Sequence, residues 1–220
     1  MKKIVFAIGL AAAASGWASV AGPAYDTLIA HRGESKDAPE NTLPAYKMAV
    51  DRGFGFECDI YLSSDKRLYT FHDRTLARPG RKIYVEVKGD DPSWVPYIKA
   101  VFAKEPKATP DTVLFISFGR NVSYELKRLM PEFKVYWLTG RVPPVAELLA
   151  ELRALGVDGV DIHFKPEEVT AEYIAAVRGK GFEFHVWTID DPEKAAEAFR
   201  RGAQTVTTNR AKYIHETLQK

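Results

Sequence analysis

Eight short runs rich in β-branched and aromatic residues recur along the chain, separated by stretches with helical periodicity, and this alternation restricts the fold more than any other feature. The runs are 27–31, 56–61, 82–88, 112–117, 134–139, 156–164, 182–188 and 203–209. Helices are expected over 43–52, 93–103, 122–129, 145–155, 171–178, 192–200 and after Asn209. Several stop at glycine, in "DRG", "ALG", "GKG" and "RRG", the usual left-handed residue before a following strand. Strands alternating with helices imply parallel pairing, and eight such units around one core predict a (β/α)8 barrel of the TIM type. An open doubly wound sheet is the alternative, but no Gly-rich turn follows the first strand to support a dinucleotide site.

One unit is short. After Phe71 the chain reads "HDRTLARPGR" and re-enters a strand at Lys82, whereas parallel neighbours normally need a crossover of about a dozen residues or more. The nine residues from Arg74 to Lys82 reach at most about 30 Å, enough to cross a barrel with nothing left for a helix. The barrel is therefore expected to carry a shortened connection between its second and third strands, either natural or left by missing residues. The mass of the mature protein separates these two readings. If the connection is natural, the faces of Cys58, Ile60, Ile83, Val85 and Val87 are expected to form an apolar patch open to a partner or a second copy.

The first 21 residues read as a signal peptide. Lys2 and Lys3 form a basic start, Ile4 to Ala14 an apolar stretch, and Ser19-Val20-Ala21 a small-x-small cleavage site. The apolar stretch falls short of the ~20 residues that a membrane span needs. The expectation is an exported protein, periplasmic or extracellular in a bacterium, with residues 22–220 as one barrel domain. Removing the two lysines takes the formal net charge from +2 to 0, so nothing in the balance attracts nucleic acid or anionic lipid. Cys58 is the only cysteine; it cannot form an internal disulfide and reads as a buried small side chain.

The second run, "FECDIY", places acids where burial is expected. Strand side chains alternate, so Glu57 and Asp59 share one face while Phe56, Cys58 and Ile60 share the other. The same two-residue spacing recurs at Glu86 and Lys88 and at His185 and Trp187, and such pairs near strand ends converge at the C-terminal mouth of a barrel. Three carboxylates, Glu57, Asp59 and Glu86, offer hard oxygen donors that suit Mg2+ or Ca2+ better than zinc. The competing explanation is a set of buried ion bridges to Arg or Lys. His31 ends the first run, and His72 follows "LYTF" on the far arm of an expected hairpin turning at Ser63 to Lys66. Histidines on opposite sides of a metal-bound phosphorus centre serve as acid and base near neutral pH.

With these residues in view, "AHRGESKDAPENTLPAY", "FECDIYLSSDKRLYTFHDRTL" and "VEVK" resemble the HRG, PENT, E-x-D, HD-x-T-L and E-x-K motifs of the glycerophosphodiester phosphodiesterase family, in that family's order; "VWTID" and "TTNR" resemble its C-terminal motifs. The departures are the short stretch between "HDRTL" and "VEVK" and the missing proline after Arg210. The resemblance implies a metal-dependent barrel that hydrolyses glycerophosphodiesters to glycerol 3-phosphate and an alcohol. By motif, His31 and His72 would be the acid/base pair, Glu57, Asp59 and Glu86 would hold Ca2+ or Mg2+, and Arg32 and Lys88 would contact the phosphate. The nucleophile is either water or the substrate's own glycerol hydroxyl, by way of a cyclic phosphate.

Lesser expectations attach to neighbouring residues. Asn41 reads as the cap of the first helix, and Glu40 as a support for Arg32 or a further metal ligand. Trp187 stands at the rim, to pack against the glycerol or head group or simply to fill core. Asp161 and His163 have no assigned role, and His215 is expected on the surface. Two alternative readings share the barrel: a lipid phosphodiesterase of the phospholipase D or sphingomyelinase D type, and an exported binding protein with impaired catalysis. Neither the oligomeric state nor the preferred head group follows from the sequence.

Overall fold

The computed structural model describes residues 24–62, 68–69, 82–105 and 108–220. His72, the signal-peptide stretch, the expected turn at Ser63 to Lys66 and residues 74–81 of the short connection lie outside the described residues. Eight parallel strands close into a barrel, alternating with helices. In chain order the described elements are β1 (Leu28–Ala30), α1 (Leu43–Asp51), β2 (Gly55–Leu62), β3 (Leu68–Tyr69), β4 (Ile83–Val87), α2 (Val95–Phe102), β5 (Val113–Ser117), α3 (Arg120–Leu129), β6 (Lys134–Thr139), α4 (Val145–Leu155), β7 (Gly159–His163), α5 (Ala171–Arg178), β8 (Glu183–Trp187), α6 (Pro192–Arg201), β9 (Thr205–Thr208) and α7 (Ala211–Leu218). The sheet runs β1-β9-β8-β7-β6-β5-β4-β2 and closes through parallel pairing of β1 with β2. β3 is a short antiparallel arm on β2, pairing Leu68 with Leu62, as the expected hairpin requires.

Local chemistry sets the boundaries. Thr42 caps α1, its hydroxyl accepting from the Ala45 N–H, and Asp191 caps α6 by accepting from the Lys194 N–H at 3.0 Å. α4 and α6 end at Gly156 and Gly202, with φ of 67° and 106°, a conformation that costs other residues a Cβ clash. Between helices and barrel lies the larger core, where a buried Leu, Val or Phe contributes roughly 1.5–3 kcal/mol. Phe102, Phe115 and Phe133 meet there edge to face at 5.1 to 6.2 Å.

The expected apolar patch is absent. Cys58, Ile60, Ile83, Val85 and Val87 are each at most 3% exposed, although no helix stands between β2 and β4 among the described residues. They belong to one cluster with Tyr46 and Ala49 of α1 and Val95 and Ile98 of α2; Tyr46 stacks on Phe56 at 4.7 Å. Helices that flank the gap on both sides thus share in the cluster that buries these faces. His215 is likewise not a surface residue: it lies one helical turn after Ala211 on the buried side of α7, 3% exposed and edge-on to Phe54 at 5.6 Å.

Inside the barrel a smaller cluster of Ile29, Tyr84, Leu114, Ile116, Tyr136 and Leu138 fills the lumen. At its N-terminal end His185 stacks on Tyr136 at 4.2 Å, and its Nδ1 shares a hydrogen bond of 2.7 Å with the Thr205 hydroxyl. The Tyr136 hydroxyl donates to Glu183 at 2.6 Å, and Glu183 also pairs with Lys134. His185, whose Nε2 lies 3.5 Å from Glu183, is the main cause that holds the Glu183 carboxyl well below the usual range, with Lys134 and Tyr136 acting the same way against burial. These side chains therefore plug the lower part of the lumen.

Candidate active site

Alternation along β2 turns Glu57 and Asp59 inward, and register places Asp59 beside Glu86 of β4. The three carboxylates are buried, with one oxygen from each lying within 4.8 Å of the others. Lys88, just past β4, reaches Asp59 Oδ1 at 2.7 Å and Glu86 Oε1 at 2.6 Å. Arg32 lies 3.2 Å from Asp59 Oδ2 through Nε and pairs with Glu40 through Nη1 at 2.8 Å. Glu40 is largely exposed and stands on Arg32, outside the carboxylate trio.

Burial pushes the Glu57 carboxyl well up, and the neighbouring Asp59 and Glu86 charges push it the same way. Burial also raises Glu86, with Lys88 opposing. At Asp59 burial is outweighed by the hydrogen bonds of Lys88 and Asn41 and by their charged surroundings, so its carboxyl stays below the ordinary value. Lys88 is held above its ordinary value because Asp59 and Glu86 overcome its own desolvation.

Ion bridges alone do not complete this site. Two cations, Arg32 and Lys88, face the three carboxylates of the trio, and Arg32 is shared with Glu40, so full ionisation leaves at least one negative charge uncompensated. Glu57 Oε2 accepts the Arg32 backbone N–H at 2.9 Å, while the buried Oε1 has no hydrogen-bond partner among the described residues. An unpaired buried carboxylate oxygen costs several kcal/mol. The donor set, all oxygen and short of one positive charge, fits a hard divalent cation.

His31 directly follows β1, its backbone N–H donating to Thr208 at 2.8 Å. Its Nε2 is 3.8 Å from Glu57 Oε2 and its Nδ1 is 2.8 Å from Asn209 Oδ1. Burial lowers the imidazole pKa, and the Asn209 bond opposes that. The loop after His31 is tightly wound: Arg32 and Asn41 have φ of 56° and 55°, a region that non-glycine residues rarely occupy. Gly33, φ 78°, lies so near α1 that a Cβ would meet the Ala45 carbonyl carbon at 2.6 Å.

Trp187 ends β8 half-buried, its Nε1 donating to the Asp161 carbonyl at 3.1 Å. It meets the exposed Phe118 edge to face at 5.5 Å and His163 at 5.2 Å. The mouth is thus charged over β1, β2 and β4 and aromatic over β5, β7 and β8. This arrangement suits a phosphate ester, with a phosphoryl group on the charged side and carbon on the other.

Sequence reasoning missed the roles of four residues. Asn41 does not cap α1, because Thr42 does; its side chain instead holds Asp59. Asn209, from the end of β9, meets His31, and Asp190, from the end of β8, holds Asn209; Asp161 is a fully buried acid whose two carboxyl oxygens have no partner among the described residues. The available signal was positional: Asn209 and Asp190 follow strands that end at the same mouth as His31.

Residues 31–82 match the family model for the Glycerophosphoryl diester phosphodiesterase family. Over 52 residues the chain is 48% identical to a glycerophosphodiester phosphodiesterase of Caldanaerobacter subterraneus, covering 23% of this chain and 21% of that protein. Over 51 residues it is 51% identical to human glycerophosphodiester phosphodiesterase 1, covering 23% of this chain and 15% of that protein. The matched stretch thus spans about a fifth or less of the length of these curated relatives. The barrel as a whole resembles solved structures. A glycerophosphodiester phosphodiesterase from Parabacteroides distasonis superposes with a TM-score of 0.74 at 22% identity, covering 87% of this chain and 96% of that one. A phosphodiesterase from Oleispira antarctica, in complex with the product sn-glycerol-3-phosphate, superposes with a TM-score of 0.75 at 21% identity over 88% and 97%. Residues 31–82 thus match the glycerophosphodiester phosphodiesterase family in sequence, and the barrel that carries them has the fold of these solved structures.

Proposed function

We propose that the protein is a metal-dependent hydrolase of glycerophosphodiesters, releasing glycerol 3-phosphate and an alcohol. The observation that carries this reading is the ring of Glu57, Asp59 and Glu86 with one uncompensated charge, flanked by His31 on one side and by Arg32 and Lys88 on the other. A divalent ion, Ca2+ or Mg2+, held by the three carboxylates would supply Lewis-acid stabilisation of charge building on phosphoryl oxygens. Arg32 and Lys88 bind and orient the phosphate. Glu40 aims Arg32. His31 and, by motif, His72 move the protons, and Trp187 packs against the carbon side of the substrate.

The signal-peptide reading of residues 1–21 supports export to the periplasm or beyond, where small water-soluble glycerophosphodiesters are the substrates. No described helix is long and apolar enough to cross a membrane. The test is a coupled assay for glycerol 3-phosphate released from glycerophosphocholine and glycerophosphoethanolamine, with and without chelator. Activity that chelator abolishes and Ca2+ or Mg2+ restores is the expected result; undiminished activity in chelator removes the metal from the mechanism.

A further inference from the structure

Asp190, beyond the end of β8, touches neither the carboxylate trio nor His31, yet it dictates the polarity of everything between them. Its Oδ1 accepts from the Asn209 backbone N–H at 2.8 Å and the Thr208 hydroxyl at 3.1 Å, and its Oδ2 accepts from Asn209 Nδ2 at 2.9 Å. A carboxylate can only accept, so the Asn209 amide must turn its NH2 toward Asp190. Its oxygen is thereby left facing His31 Nδ1 at 2.8 Å, with the Ser35 hydroxyl at 3.4 Å. An amide oxygen also only accepts, so Nδ1 must carry a hydrogen. In the neutral imidazole the lone pair then sits on Nε2, the atom facing the carboxylate trio 3.8 Å from Glu57.

Asn209 alone does not determine this. The two ends of an amide are nearly equal in size, and a flipped Asn209 would present NH2 to Nδ1 and select the opposite tautomer. With Asp190 present, the flipped amide would set oxygen against oxygen.

We propose that Asp190 is the positioning residue of the site, fixing His31 through Asn209 as a proton acceptor at Nε2 rather than a donor. The proposal rests on the phosphodiesterase reading above. As the attacking oxygen bonds to phosphorus its proton passes to Nε2. The bond between phosphorus and the leaving oxygen breaks, and that oxygen takes a proton from the second histidine of the reading, His72.

The test compares the wild type, Asp190→Asn, and the swapped pair Asp190→Asn with Asn209→Asp, in the full chain. In Asp190→Asn the residue can still accept through its oxygen from Thr208 and the Asn209 N–H, but it turns NH2 toward the Asn209 amide, which must flip. In the swapped pair, an amide at 190 donates to a carboxylate at 209, which accepts from Nδ1 as before. Side-chain 15N NMR of metal-free protein, with His31 assigned by His31→Gln, should show Nδ1–H in the wild type, Nε2–H in Asp190→Asn and Nδ1–H again in the swapped pair. Turnover of glycerophosphocholine should fall on the order of 10- to 100-fold in Asp190→Asn, as for other outer partners of site histidines, with KM within about twofold, and return largely in the swapped pair. Nε2–H in the wild type overturns the proposal. So does a loss of kcat in Asp190→Asn with the tautomer unchanged, which would mark a purely structural role. Should that single variant fail to fold, the wild-type tautomer and the swapped pair still decide. A wild type inert toward every glycerophosphodiester defeats the functional reading instead, and the tautomer measurement stands apart from it.

Discussion

Asn41 grips Asp59 from two directions, its amide NH2 donating to Oδ2 at 2.8 Å and its oxygen accepting from the Asp59 backbone N–H at 3.2 Å. The same oxygen accepts from the Tyr46 hydroxyl at 2.9 Å. The amide is therefore fixed at both ends, and it fixes the one carboxylate of the trio that stays ionised most readily. Asn41→Asp would place a second carboxylate on Asp59 and remove the donor. We expect metal affinity to fall on the order of 10- to 100-fold, as for outer partners of metal ligands, while the far-ultraviolet circular dichroism is retained. Calorimetric titration with Ca2+ and Mg2+ measures it.

Metal binding should release protons. Glu57 and Glu86 have raised carboxyl pKa values, chiefly from burial, and only the ionised forms bind a cation. As pH falls through those raised values, protons compete with the metal and apparent affinity declines. The decline should begin at higher pH than ordinary carboxylates would give. Titration in two buffers of different ionisation enthalpy counts the protons. Glu57→Gln should weaken binding and shrink the proton count, whereas His31→Ala should leave affinity nearly unchanged and lower turnover by about 100- to 10,000-fold.

Asp161 is a burden on the fold that a neutral side chain would relieve. It is 1% exposed, has no hydrogen-bond partner among the described residues, and burial, with the Glu86 charge behind it, pushes its carboxyl well up. Below the ordinary carboxylate range both folded and unfolded chains are protonated there, and nothing is lost. As pH rises through the unfolded value only the unfolded chain ionises, so stability drains away until the folded group ionises too. Asp161→Asn should stabilise the metal-free protein by about 1–3 kcal/mol near neutral pH, with the gain vanishing toward pH 3. Urea unfolding at several pH values reads the difference, and a gain independent of pH would refute the explanation.

Gly33→Ala should damage the site through the backbone. The added Cβ would meet α1 at 2.6 Å in a left-handed conformation, so the loop that carries Arg32 must move. We expect a loss of about 1–3 kcal/mol in stability and a raised KM for the phosphodiester from displacement of Arg32. Thermal unfolding and steady-state kinetics check the two effects together.

Much of this was legible because its causes are local. Alternation in "FECDIY" is enough to turn Glu57 and Asp59 to one face, and helix periodicity with a terminal glycine placed α4 at Val145–Leu155 as observed. Contacts that depend on barrel closure were not legible: His31 and Asn209 are 178 positions apart and meet only because β1 pairs with β9. Asn41 was misread because "ENT" offers two adjacent capping residues, and the choice between them depended on a carboxylate in β2. Burial of Ile60 and Val85, with no crossover helix between β2 and β4 among the described residues, was invisible for a similar reason, since side chains of α1 and α2, distant in the chain, join the same core cluster.

The plug of Tyr84, Tyr136 and His185 makes the lumen a blind well. Whatever arrives at the carboxylates must come through the mouth, and whatever is made must go back out the same way. Arrival and departure therefore queue at one doorway. Under the proposed hydrolysis, an anionic product held by Arg32 and Lys88 would bar the next substrate, whereas an alcohol on the aromatic side would be free to go first.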